Sequence, residues 1–148
     1  MGDSHFLVSS DGSEASRRAI DHAVMLAGRL GARITFLHVQ PHVPLPLSGL
    51  GDSLDPRTLQ ALSEASQQQS QRILAEAAAI AAEQGVPASC ERVGGDLPHR
   101  AIVAMAQQLG CDLIVMASHG RHGLQGLLLG SETQRVLQDA PCPVLVHR

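Results

Sequence analysis

Five short apolar runs alternate with four stretches of helical periodicity, and this order constrains the fold more than any other feature of the chain. Residues 6–10 read as a strand. Ser13 then looks like a helix N-cap with Glu14 in the first turn. Ala15, Ala19, Ala23 and Ala27, with Ile20, Val24 and Leu30, recur at helical spacing until Gly31. Residues 33–39 form a second strand pattern. Residues 57–84 carry one long helical pattern with an apolar face through Leu59, Leu62, Ile73, Leu74, Ala77, Ile80 and Ala81. Residues 88–93 are strand-like but polar at Ser89, Glu91 and Arg92, which places them at a sheet edge. Asp96 reads as the cap of a third helix with Pro98 in its first turn, ended by Gly110. Residues 112–117 form a fourth strand, residues 131–138 a fourth helix stopped by Pro141 and Pro143, and residues 144–146 a last strand. Such an alternation implies an α/β fold: a three-layer, open, parallel five-stranded sheet with right-handed crossovers and helices on both faces, of Rossmann-like type. The 148 residues suit a single domain spanning 1–148.

In sheets of this kind ligands bind at the carboxyl ends of the strands, where the strand order reverses. If the first and fourth strands are neighbours, Asp11 and the loop after Ala117 meet there. That loop concentrates the chemistry. Met116, Ala117, Ser118, His119 and Gly120 lead into Gly123, Gly126 and Gly130, and the loop closes on Ser131, Glu132, Thr133 and Gln134. Ser131 and Gln134 fit a capping box at a helix start. A strand running through a glycine-bearing loop into a helix N-terminus is a site for an anion, because unpaired amides and the helix dipole both favour negative charge. The loop is expected to hold the phosphates of a nucleotide.

Other classes are excluded by what is missing. All eleven basic residues are arginine, so neither a Walker-type phosphate loop nor a lysine Schiff base can form. The arginines are scattered and the formal net charge is -3, which argues against nucleic acid as a partner. No apolar run is long enough to span a membrane, and no signal-peptide pattern is visible, so a cytoplasmic setting is expected. Cys90, Cys111 and Cys142 form no C-x-x-C pair and read as small buried hydrophobes. Residues 40–56, with Pro41, Pro44, Pro46 and Pro56 around Leu45, Leu47 and Leu50, suit a flap or partner surface.

The chain resembles the universal stress protein family over essentially its whole length. Val8, Ser9, Ser10, Asp11, Gly12 and Ser13 are similar to that family's first strand and turn, and Leu37, His38 and Val39 to its second strand. Ala117, Ser118, His119 and Gly120, then nine residues, then Gly130 and Ser131 resemble its nucleotide motif; residues 140–146 resemble its ending. The resemblance implies a regulatory protein of the stress response that binds ATP or another adenine nucleotide, possibly with Mg²⁺, acts as a homodimer through the C-terminal edge strand, and at most hydrolyses ATP slowly. It places Ser9, Ser10 and Asp11 near adenine and ribose, with Val39 and Met116 lining the adenine pocket. Ala117, Ser118, His119, Gly120, Gly130, Ser131, Glu132 and Thr133 would lie along ribose and phosphates. One departure from the motif is Ala117, which stands where the family has glycine. An extended Ala117 narrows the pocket at little cost, whereas a positive φ there would cost ~1 kcal/mol or more.

Other readings stay open on the residues alone. The same fold could serve as an interaction module without a nucleotide. Ser118, His119 and Asp11 contain the residue types of a hydrolase triad, although Met116 stands where a nucleophile elbow has glycine. His119 with His122, or His38 with His42, could seed a metal site, and Arg121 could reach a phosphate.

Overall fold

A computed structural model describes residues 3–42, 55–119 and 128–148. Their order is β1 (His5–Ser9), α1 (Glu14–Leu30), β2 (Arg33–Gln40), α2 (Pro56–Glu83), β3 (Ala88–Gly94), α3 (Pro98–Leu109), β4 (Leu113–Ala117), α4 (Ser131–Asp139) and β5 (Val144–His147). The five strands form one sheet in the order β3-β2-β1-β4-β5, and every pairing is parallel. This is the expected α/β architecture. β1 and β4 are neighbours, with Val8 beside Val115, and the polar β3 lies at an edge. Residues 43–54, the middle of the proposed flap, lie outside the described residues, as does the loop over 120–127.

The period-2 alternation of the strands builds two cores. Phe6, Val8, Ile34, Phe36, Val115 and Ala117 face one side, where they pack with Ala19, Ile20, Ala23, Val24 and Ala27 of α1 and Leu74, Ala77 and Ala81 of α2. Leu7, Leu37, Ile114 and Met116 face the other side with Ile102, Met105 and Ala106 of α3 and Val136 of α4. The alanine stripe of α1 lets that helix lie close against the middle of the sheet. Ser13 caps α1 by accepting from the Ser16 amide, and Gly31 closes the helix in the left-handed region at φ 66°. No described helix is long and apolar enough to cross a membrane.

The cysteines depart from expectation. Cys111 is buried, and burial pushes its thiol pKa up to about 11. Cys142 is half-buried and Cys90 is exposed. Cys90 sits on β3, an edge strand whose residues are almost all exposed, so an apolar neighbourhood in sequence does not bury it.

His5 starts β1 on the sheet end away from the β1–β4 crevice. Its Nε2 lies 2.7 Å from Thr35 Oγ1, while its Nδ1 is buried. Burial, then the Arg33 guanidinium, pushes its pKa below 6.5. His147 Nδ1 on β5 is likewise buried, and burial, then His22 and Arg18, lower that pKa too. The unfolded chain therefore binds more protons than the fold once the pH drops below 6.5. Their contribution is full above that pH and is lost as the pH falls toward the folded-state values. Urea midpoints are expected to fall between about pH 7 and about pH 5.5, with a flatter slope in His5→Gln/His147→Gln. Phe36 is 0% exposed, and Phe36→Ala should lower the unfolding free energy by about 3–5 kcal/mol in the same assay.

Candidate functional site

The connections from β1 and β4 leave toward opposite faces of the sheet, which opens a crevice above the carboxyl ends of these two strands. A cavity of about 730 Å³ lies there, within the range of small-molecule sites. β1 and the turn after it supply Ser9 and Asp11. β2 supplies His38 and Val39, and β4 supplies Met116 and Ala117, followed by His119. The wall is completed by Ser66 and Gln69 of α2, Asp96, Pro98 and Ile102 around the start of α3, and Leu128 to Thr133 at the start of α4.

The start of α4 decides what this cavity can hold. The Gly130 amide donates to the Ser118 carbonyl at 2.8 Å. Thr133 Oγ1 donates toward the Ala117 and Ser118 carbonyls at 3.1 and 3.2 Å. These contacts pin the first turn of α4 onto the end of β4. They also make Gly130 the N-cap, with no side-chain hydrogen bond. The expected capping box therefore does not form. Ser131 is already the first helical residue, and the Gln134 side chain donates to the Leu129 carbonyl at 2.9 Å. The first intrahelical bond runs from the Gln134 amide to the Gly130 carbonyl. The amides of Ser131, Glu132 and Thr133 thus have no partner within their own helix. A negative group in the cavity would meet three backbone donors and the positive end of the helix dipole.

Much of the remaining wall is apolar, through Val39, Pro98, Ile102, Met116 and Leu128, and its polar groups are mostly paired. Asp11 Oδ1 accepts from the Ser13 amide at 2.9 Å. His38 Nδ1 and Ser70 Oγ are 2.6 Å apart, and Gln40 Nε2 donates to Ser66 Oγ at 2.9 Å, which ties β2 to α2. Glu132 Oε2 accepts from both the amide and Nδ1 of His99, at 2.8 and 2.9 Å, and joins the first turns of α3 and α4. His119 Nδ1 is buried with no hydrogen-bond partner among the described residues. Asp96 does not cap α3, whose N-cap is Leu97 without a side-chain bond. Its carboxylate instead accepts from the amide and Nδ1 of His42, at 3.3 and 3.0 Å. The His42 hydrogen bonds hold the Asp96 pKa below the usual carboxylate value.

The sequence pattern that defines the Universal stress protein family matches residues 4–148. The chain belongs to this family. Among universal stress proteins it is 34% identical to YxiE of Bacillus subtilis over 144 residues, covering 96% of this chain and 97% of the relative. The structure of universal stress protein UspA from Lactobacillus plantarum superposes with a TM-score of 0.75 at 27% identity and full coverage of both chains. A universal stress protein solved in complex with cAMP superposes with a TM-score of 0.69 at 25% identity, covering 99% of this chain and 97% of that one.

Of the residues that the family motif points to, Ser9, Asp11, Val39, Met116, Ala117, His119, Gly130, Ser131, Glu132 and Thr133 all line the one cavity. Ser10 and Ser118 do not. Ser10 is buried behind the wall, 3.1 Å from Ser16 through the two hydroxyl oxygens. Ser118 is buried too, its amide donating to the His147 carbonyl. That placement removes Ser118 as an accessible nucleophile. Gly120, Arg121 and His122 lie outside the described residues. Ala117 belongs to β4, and no described non-glycine residue has positive φ, so the alanine narrows the pocket without backbone strain. The motif misses His38, Ser66, Gln69 and Asp96.

Gly130 is fixed by the protein itself. A Cβ there would sit 3.0 Å from the Ser118 carbonyl oxygen. Gly130→Ala should lower the unfolding free energy by about 1–3 kcal/mol even without ligand, read as a shift in urea midpoint; an unchanged midpoint would contradict this packing.

Proposed function

We propose that the chain is a regulatory, nucleotide-binding protein of the stress response that takes an adenine nucleotide into the cavity between β1 and β4. ATP is among the nucleotides the cavity would take, and the activity is binding with at most slow hydrolysis. One observation carries this reading: α4 begins at the cavity on a glycine, and among the described residues no side chain caps its N-terminal amides. The cAMP-bound relative supports the choice of an adenine ligand.

In this reading the phosphate lies on the amides of Ser131, Glu132 and Thr133. The base is taken between Val39 and Met116, and Asp11 and Ser9 lie toward the ribose. His119 Nδ1, without a partner among the described residues, offers a further polar contact. If the ligand is ATP, its Mg²⁺ would find hard oxygen donors in Asp11 and Ser131, both on the cavity wall. The protein is proposed to act in the cytoplasm as a homodimer through β5. This edge strand is half-buried along its whole length and has one side unpaired in the sheet.

The chain has no Trp and no Tyr, so an adenine band near 260 nm stands out in its ultraviolet spectrum. Freshly purified protein should show that band or, once stripped, bind AMP or ATP with one site per chain by calorimetry. A preparation with neither property would favour the alternative, an interaction module that uses the fold without a nucleotide.

A further inference from the structure

Building on that reading of the cavity, we infer that Glu132 limits the charge the site accepts and makes it favour adenine nucleotides with one phosphate over those with three. Two helices, α3 and α4, begin beside the cavity, and neither carries a side-chain cap at its own N-cap residue. Two such starts could share a polyphosphate. The start of α3 is already filled, because Glu132 Oε2 accepts the His99 amide at 2.8 Å and His99 Nδ1 at 2.9 Å. A carboxylate of the protein therefore occupies the place a second phosphate would take. It projects from the same turn whose amides receive the first one.

Arg135 Nη1 meets the other carboxylate oxygen at 3.2 Å but is 52% exposed and screened by water. The described lining residues include three carboxylates, Asp11, Asp96 and Glu132, and no arginine. One phosphate gains three amides; each further phosphate adds repulsion from Glu132.

The test is calorimetry with AMP, ADP and ATP in EDTA, so that no divalent cation bridges the charges. ATP should bind the wild type about tenfold more weakly than AMP, and the gap should shrink as salt is added. Glu132→Gln keeps the size of the side chain and an oxygen for the His99 amide. It should narrow the gap about five- to tenfold, with ATP gaining more than AMP. Arg135→Gln, outside the cavity lining, should widen it. ATP binding as tight as AMP in the wild type, an unchanged gap in Glu132→Gln, or an equal loss for all three nucleotides in that variant overturns the inference. A wild-type protein that binds none of the three overturns the reading of the cavity itself.

Discussion

The carbonyl of Ser118 organises the functional end of this molecule. It accepts from the Gly130 amide and lies within reach of the Thr133 hydroxyl, so the last turn of β4 and the first turn of α4 are fixed to one another. The geometry that satisfies this carbonyl also puts a residue without a side chain at the N-cap. A serine or aspartate there would have supplied its own oxygen to the helix amides. With glycine, those donors remain directed at the crevice. The same contact thus packs β4 against α4 and leaves the helix amides without a cap, and the demand for glycine at 130 comes from the approach of backbone to backbone.

Much of the fold was legible because it depends on local periodicity. The alanine stripe of α1, the two-residue alternation in β1 and β2, and the polar β3 each report which face is covered and by what. The crevice was legible for the same reason, since a doubly wound sheet with β1 beside β4 has only one place where its crossovers diverge. Details that depend on which of several neighbouring polar groups wins a hydrogen bond were not legible. Ser131 and Gln134 have the spacing of a capping box, but the pull of Ser118 on Gly130 starts the helix one residue earlier. Asp96 has the composition and position of a cap, yet His42, distant in sequence, takes its carboxylate. Ser10 and Ser118 belong to the motif stretches but sit behind the wall, each one residue past its strand and turned to other partners, Ser10 to the Ser16 hydroxyl and the Ser118 amide to the His147 carbonyl. His38 and Ser70 meet through tertiary packing, which no spacing rule reports.

The cavity joins an apolar wall to a few carboxylates and the backbone amides at the start of α4. Where a cationic side chain cradles phosphate, it supplies affinity that grows with ligand charge. Here the donors are dipoles fixed in place by α4, with acids at the rim. Under the proposed function, such a site would reward position and shape more than charge and would couple its ligand to α4. α4 also packs on α3 and β5, so under that proposal a ligand at its start would act on elements that reach the edge of the sheet.

The most direct measurement is a nuclear magnetic resonance titration of ¹⁵N-labelled protein with AMP, following backbone amides one by one. The account predicts that Ser131, Glu132 and Thr133 shift most, and move with Val39 and Met116. Perturbations confined to other surfaces, such as the groove between α1 and α2, with the first turn of α4 unmoved, would contradict it.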